Sequence, residues 1–130
     1  MSSEDVEVVR RGFERFIATG EPDWEVTDAD VLVVDHDIMD GSEYRGHDGV
    51  QRWVEDWSTA WSAFTMRAER FVDAGECVVV IVQMKATGVA SGIEIERQDG
   101  IVYPLRDGRI VRLDYFNSAE QALAAAGLTA

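Results

Sequence analysis

Two prolines and one cysteine are all that the 130 residues hold of either. A single cysteine forms no intrachain disulfide, which removes the class of small stapled domains and fits a reducing compartment. No run approaches the roughly 18 apolar residues of a membrane span. The acidic opening MSSEDVEVVRR lacks the apolar stretch of a secretory leader. Positive charge is scarce as well: twelve Lys and Arg stand against twenty-five Asp and Glu, a net charge of −13. A field of that sign repels phosphate backbones and anionic lipid, so nucleic acid and membrane surfaces drop out as partners. Repeats, low-complexity tracts and linker stretches are missing too. What remains is one soluble, cytoplasmic domain over residues 1–130.

Apolar residues make up 46% of the chain, enough for one sizeable core and an internal pocket. Val6, Val9, Phe13, Phe16 and Ile17 fall on one stripe and predict a helix over 4–18, capped by Ser2 or Ser3 and ended at Gly20. A brief strand, Val31 to Val34, runs into Asp35-His36-Asp37, and 38–46 read as a loop. A second helix over 47–63 carries Val50, Trp53, Val54, Trp57, Ala60, Trp61 and Phe64 on its apolar side. A pocket beneath it would be walled by aromatic rings. Strand-like runs follow at 65–73, 76–87, 92–105 and 109–116, separated by Gly-containing turns. A last helix opens with Ser118 and Gln121 at capping-box spacing. Helices first and an antiparallel meander after them predict an α+β domain with the sheet curled around the helices.

The stretch LRDGRIVRLDYFN (105–117) raises the chemical question, because Asp114 sits inside a strand, where aspartate packs poorly. Asp107-Gly108 is a two-residue turn signal. With that turn, Arg106 pairs with Arg109, and Ile101 faces Asp114. Alternation then puts Arg97, Asp99, Ile101, Tyr103 and Leu105 on one face with Ile110, Arg112, Asp114 and Phe116. Asp99 and Asp114 become diagonal neighbours, a pair of carboxylates suited to acid–base work. Two other readings stay open: a salt-bridge network at the sheet's rim, or a three-residue loop with a bulge that shifts the register by one.

Other candidates are fewer. His36 follows a strand, and an imidazole suits proton transfer, so it is either a proton-transfer or binding group, or a solvated loop residue. Asp35-His36-Asp37 offers three donors, but extended chain turns them alternately and no second histidine joins them, so no metal is expected. His47 reads as a helix-entry or surface residue. Tyr44 could project its hydroxyl into the cavity, and Tyr103 could donate to a developing oxyanion.

YRGHDGVQRWVEDW (44–57), SGIEIE (91–96) and LRDGRIVRLDYFNSAEQALAAAGL (105–128) resemble the SnoaL-like polyketide cyclase group of the nuclear transport factor 2-like superfamily. The resemblance spans nearly the whole chain. It implies a cone-shaped α+β fold, a curved antiparallel sheet packed on N-terminal helices around a deep apolar pocket, and a homodimer. Asp114 in Leu113-Asp114-Tyr115-Phe116 looks like the final-strand aspartate that activates water in limonene epoxide hydrolases. The Arg-x-Asp of those enzymes should fall near Ile81-Val82-Gln83, where neither charge occurs. In ketosteroid isomerase the oxygen-binding acid maps to about Gly100 or Ile101, one step from Asp99. The resemblance thus implies a cofactor-independent isomerase, cyclase or hydrolase acting on a small, largely apolar oxygenated molecule. Asp114, His36 and Asp99 are the catalytic candidates, and Tyr44, Trp53, Trp57, Tyr103, Arg112 and Phe116 the substrate-facing ones. The alternatives are a non-catalytic ligand-binding protein and a dimerisation module using a sheet face bearing Val111, Leu113 and Tyr115.

Overall fold

The computed structural model describes residues 2–36 and 42–128. Helix α1 (Ser2–Thr19) is followed by β1 (Thr27–Asp35), β2 (Ser42–Arg45), α2 (Gly46–Ala60), β3 (Trp61–Asp73), β4 (Cys77–Gly88), β5 (Glu94–Arg106), β6 (Arg109–Phe116) and α3 (Ala119–Ala125). The strands form one curved, unclosed sheet in the order β2-β1-β6-β5-β4-β3. Most neighbours are antiparallel, as the meander requires, but β1 joins β6 in parallel and so closes the N-terminal part of the chain onto its end.

Helices α1 and α2 lie in the hollow of this sheet. Val9, Phe13, Val50, Trp53 and Trp57 bury their apolar stripes against Val33, Val80, Val82, Met84, Ile101, Tyr103 and Tyr115. A smaller second core forms on the opposite face, where α3 sets Ala119 and Ala122 on Val79, Ile81 and Val102. The helix can come this close because Gly100 has no side chain. A Cβ there would sit 2.4 Å from the Ala122 methyl. Ser118 Oγ accepts from the Gln121 backbone N–H at 3.2 Å, so the capping box expected for α3 forms its first half.

The second helix is shorter than its stripe implied. It stops at Ala60, and Trp61 and Phe64 belong to β3. At Trp61 the backbone is already extended (φ −124°, ψ 125°). A large apolar side chain suits either element, so spacing alone did not locate the boundary. Strand β2 falls in the segment read as loop.

The hairpin turn forms as expected. Asp107 and Gly108 both have positive φ (54° and 75°), and Arg106 pairs with Arg109 and Leu105 with Ile110. The register then slips. Val102 pairs with Asp114 and Ile101 with Tyr115, so three residues of β6 (Val111, Arg112 and Leu113) span the distance covered by Tyr103 and Pro104 on β5. A bulge of this kind goes with Pro104, which has no N–H to give to a ladder. It reverses every side chain of β6 beyond Arg112 relative to the even pairing. Asp99 and Asp114 therefore do not share a face, which corrects the central expectation. The slip also differs from the three-residue-loop alternative, which would have set Asp114 opposite Gly100.

Candidate functional site

Between α1, α2 and the hollow of the sheet lies a cavity of about 400 Å³, within the size range of small-molecule pockets. Phe13, Phe16 and Ile17 come from α1, Trp53, Val54 and Trp57 from α2, and Phe64, Thr65 and Met66 from β3. The sheet supplies Ile101, Tyr103, Leu113 and Tyr115. Ile17 and Phe64 are partly exposed on this wall and bring an apolar surface out to solvent. Trp57 is the hub of the aromatic wall, with ring centroids 5.1 Å from Tyr115 and 5.5 Å from Phe64.

Polar groups lie behind this wall in a connected set. Asp35, fully buried at the end of β1, accepts the indole N–H of Trp53 at 2.7 Å and of Trp57 at 2.8 Å on the same oxygen. Beside it on β6 stands Tyr115, paired with Asp35 in the parallel ladder. The Tyr115 hydroxyl donates to Asp99, which is also fully buried and takes a further hydrogen bond from Arg97 Nε at 2.7 Å. Buried charges persist only when paired in this way. Burial, then the charge and hydrogen bond of Asp99, push the Tyr115 phenol far above its ordinary range. It is thus held protonated. Burial alone raises Tyr103.

Asp114 is elsewhere. Leu113 and Tyr115 line the cavity, so the side chain between them faces the other side of the sheet, level with Val34 and Val102. There Arg112 grips it with two hydrogen bonds, Nε to Oδ2 at 2.8 Å and Nη2 to Oδ1 at 2.9 Å. His36 Nε2 lies 3.0 Å from the same Oδ1, and its ring stacks flat on Phe116 at 4.3 Å. The carboxylate raises the Arg112 pKa by hydrogen bonding. His36, Arg112, Asp114 and Phe116 thus form one outer-face cluster, and none of them lines the cavity.

Of the remaining candidates, Trp53, Trp57 and Tyr103 wall the cavity, while Asp99 stands one residue behind it through Tyr115. Tyr44 does not enter it. Its hydroxyl donates to Asp56 at 2.6 Å, and burial, then that bond, push the phenol up to about 12. His47 is on the surface, 3.0 Å from Glu21. Asp35 faces inward and His36 outward, and Asp37 lies outside the described residues. Among the described residues no three His, Cys, Asp or Glu side chains converge as a metal site would need. The face assigned to a dimerisation module also changes, since Leu113 and Tyr115 point into the cavity. Two groups were missed. Tyr115 went unnoticed because the even register turned it outward, and the signal against that register was Pro104. Asp35 was weighed only as a metal ligand, although an acid closing the apolar run Val31–Val34 is a signal of buried partners.

The sequence profile of the SnoaL-like domain matches residues 25–113. The chain belongs to the SnoaL-like domain family. No curated protein matches this SnoaL-like domain in sequence. Solved structures match it throughout. A nuclear transport factor 2-like protein of unknown function from Burkholderia pseudomallei K96243 is 21% identical, with a TM-score of 0.73 over 95% of this chain and 97% of that one. TerC, crystallised with polyporic acid, is 16% identical with a TM-score of 0.74, covering 95% and 98%. A protein of ketosteroid isomerase-like fold from Catenulispora acidiphila DSM 44928, in complex with trimethylamine, is 17% identical with a TM-score of 0.68, covering 94% and 93%. At these identities the likeness establishes the fold. Among the described residues, no helix of the domain is long and apolar enough to cross a membrane.

Proposed function

We propose that this SnoaL-like domain is a cofactor-independent acid–base enzyme of the isomerase or cyclase type. Its substrate is a small, largely apolar oxygenated molecule held in the cavity. One observation carries the reading: a cavity-lining phenol, Tyr115, is hydrogen-bonded to a carboxylate with no solvent access, Asp99. A substrate seated on Trp53, Trp57 and Ile101 would bring an acidic C–H or enolic O–H against the Tyr115 oxygen. That proton passes to the phenol oxygen while the phenolic proton passes to Asp99, leaving an enolate in the substrate. The reverse relay returns the proton at a second carbon, so charge and protons balance over the cycle. Arg97, 2.7 Å from Asp99, offsets the cost of its buried charge before the transfer. The aromatic wall excludes water, which strengthens each of these interactions. The co-crystallisation of TerC with polyporic acid supports a small organic ligand for this fold.

A second reading keeps the cavity and removes the chemistry: a binding protein for the same class of molecule. The outward placement of His36 and Asp114 favours it, because two of the three catalytic candidates then have no access to the ligand. Asp99→Asn separates the two readings. In the enzyme it removes the proton acceptor and costs about 100-fold or more in turnover, with ligand affinity nearly kept. An unchanged turnover number in a folded variant would exclude the relay.

A further inference from the structure

The main cavity has a smaller neighbour across a shared wall. A second chamber of about 30 Å³ lies beyond it, lined by Thr27, Val31, Val33, Val50 and Ile110. It shares Phe16, Trp53, Tyr103 and Leu113 with the main cavity. That volume matches one water-sized group. Two hydroxyl-bearing residues, Thr27 and Tyr103, line it. Thr27, at the start of β1, is 2% exposed, and its Oγ1 is the single buried side-chain polar atom lacking a hydrogen-bond partner among the described residues. Tyr103 is 4% exposed and lines both chambers. Its hydroxyl forms no hydrogen bond among the described residues. Buried hydroxyls are almost always bonded, so leaving Thr27 Oγ1 unbonded beside this void, with the Tyr103 hydroxyl also available, is costly. Both are held there by backbone that has other reasons to be fixed. The Thr27 carbonyl accepts from Arg109 at 2.8 Å, and Tyr103 lies in the bulge beside Pro104.

We infer that this side chamber is an oxygen seat: it takes one neutral hydroxyl or carbonyl oxygen projecting from the ring system of the cavity ligand, held between Tyr103 and Thr27. The Tyr103 hydroxyl donates to that oxygen. A ligand hydroxyl donates onward to Thr27 Oγ1, and a ligand carbonyl accepts from Thr27 instead. The rest of the chamber wall is apolar and carries no cationic side chain, so a carboxylate would enter without a counter-charge and is disfavoured. The ligand class is thus a flat or compact ring compound with a single neutral oxygen substituent directed away from Tyr115. This inference rests on the cavity being the binding site, but not on the proton relay.

Equilibrium dialysis against three matched probes tests it: naphthalene, 2-naphthol and 2-naphthoic acid, with the wild type, Tyr103→Phe and Thr27→Val. Both substitutions keep the shape of the side chain and remove its hydroxyl. The wild type should bind 2-naphthol about tenfold more tightly than naphthalene, the sum of two modest hydrogen bonds, and 2-naphthoic acid least. Each variant should shrink the naphthol preference to within about threefold while its naphthalene affinity stays within about twofold. Wild-type binding of naphthalene with no preference for the naphthol would overturn the oxygen seat and leave the cavity reading intact. So would a full preference surviving in either variant. Failure of every probe to bind would sink the cavity reading and the oxygen seat together.

Discussion

Asp114 and Tyr115 are consecutive in the chain and serve opposite faces of the sheet, Tyr115 in the cavity against Asp99 and Asp114 outside it against Arg112 and His36. One strand therefore carries two separate polar assemblies, and a substitution in one should leave the other untouched.

Asp114→Asn tests that separation directly. It removes the charge of a largely buried carboxylate whose arginine partner is half exposed, and the amide keeps only part of its hydrogen bonds, so the cost to stability should be about 1–3 kcal/mol by urea unfolding. Affinity for a cavity ligand should stay within twofold. A tenfold loss of affinity would mean that the outer cluster reaches the site after all.

Trp57→Phe takes away one of the two indole N–H groups on Asp35 and leaves the other at 2.7 Å. Because that carboxylate has no solvent access, the lost bond is not replaced by water. Denaturant unfolding should show a loss of roughly 2–3 kcal/mol, more than a change of ring size alone produces. The same substitution in an Asp35→Asn background should cost clearly less, as expected for two residues in contact.

Gly100→Ala should destabilise by about 1–3 kcal/mol, because the added methyl would sit 2.4 Å from Ala122 and 3.2 Å from the Ala119 Cα. The damage belongs to the outer core, so thermal melting should fall while the near-ultraviolet signal of the inner tryptophans is preserved. The double variant with Ala122→Gly should recover part of the loss.

All three tyrosines of the chain have phenols raised above their ordinary value, chiefly by burial: Tyr44 to about 12, and Tyr103 and Tyr115 further. The unfolded chain loses these protons near pH 10 and the folded one does not. The folded state then holds more protons, and stability falls as pH rises above about 10, by up to ~1.4 kcal/mol per pH unit for each phenol. Below about pH 9 the three groups contribute no pH dependence. Tyrosinate absorbance at 295 nm should therefore emerge together with the loss of circular dichroism, in one step. A gradual rise at pH 10 in the folded protein would contradict the burial of these hydroxyls.

Much of this architecture is written in local patterns. The stripe Val6, Val9, Phe13, Phe16 placed α1, Asp107-Gly108 placed the last hairpin turn, and Ser118 placed the start of α3. Trp53 and Trp57 were legible as an aromatic wall because their spacing puts them on one helix face. What escaped depends on partners far along the chain. Asp35 meets Trp53 and Trp57 from 18 and 22 residues away, and the apolar run before it signals a buried partner without saying which. Tyr115 was hidden by a register that is even at the turn and slips three residues later, at a proline whose missing N–H was the available clue. Strand β2, SEYR, shows no apolar alternation, and only its antiparallel pairing with β1, Val33 opposite Tyr44, makes it a strand.

The bulge beside Pro104 also acts as a parity switch. Were β6 paired evenly from the turn with its sequence unchanged, Asp114 would stand opposite Ile101 and enter the hollow, and Tyr115 would move out toward α3. Loss of Val111 would instead leave Asp114 opposite Val102 and Tyr115 opposite Ile101, so a one-codon deletion there would iron out the strand and spare the interior chemistry. What the hollow contains thus depends on whether a single residue is looped out of its ladder, while every helix and strand stays in place.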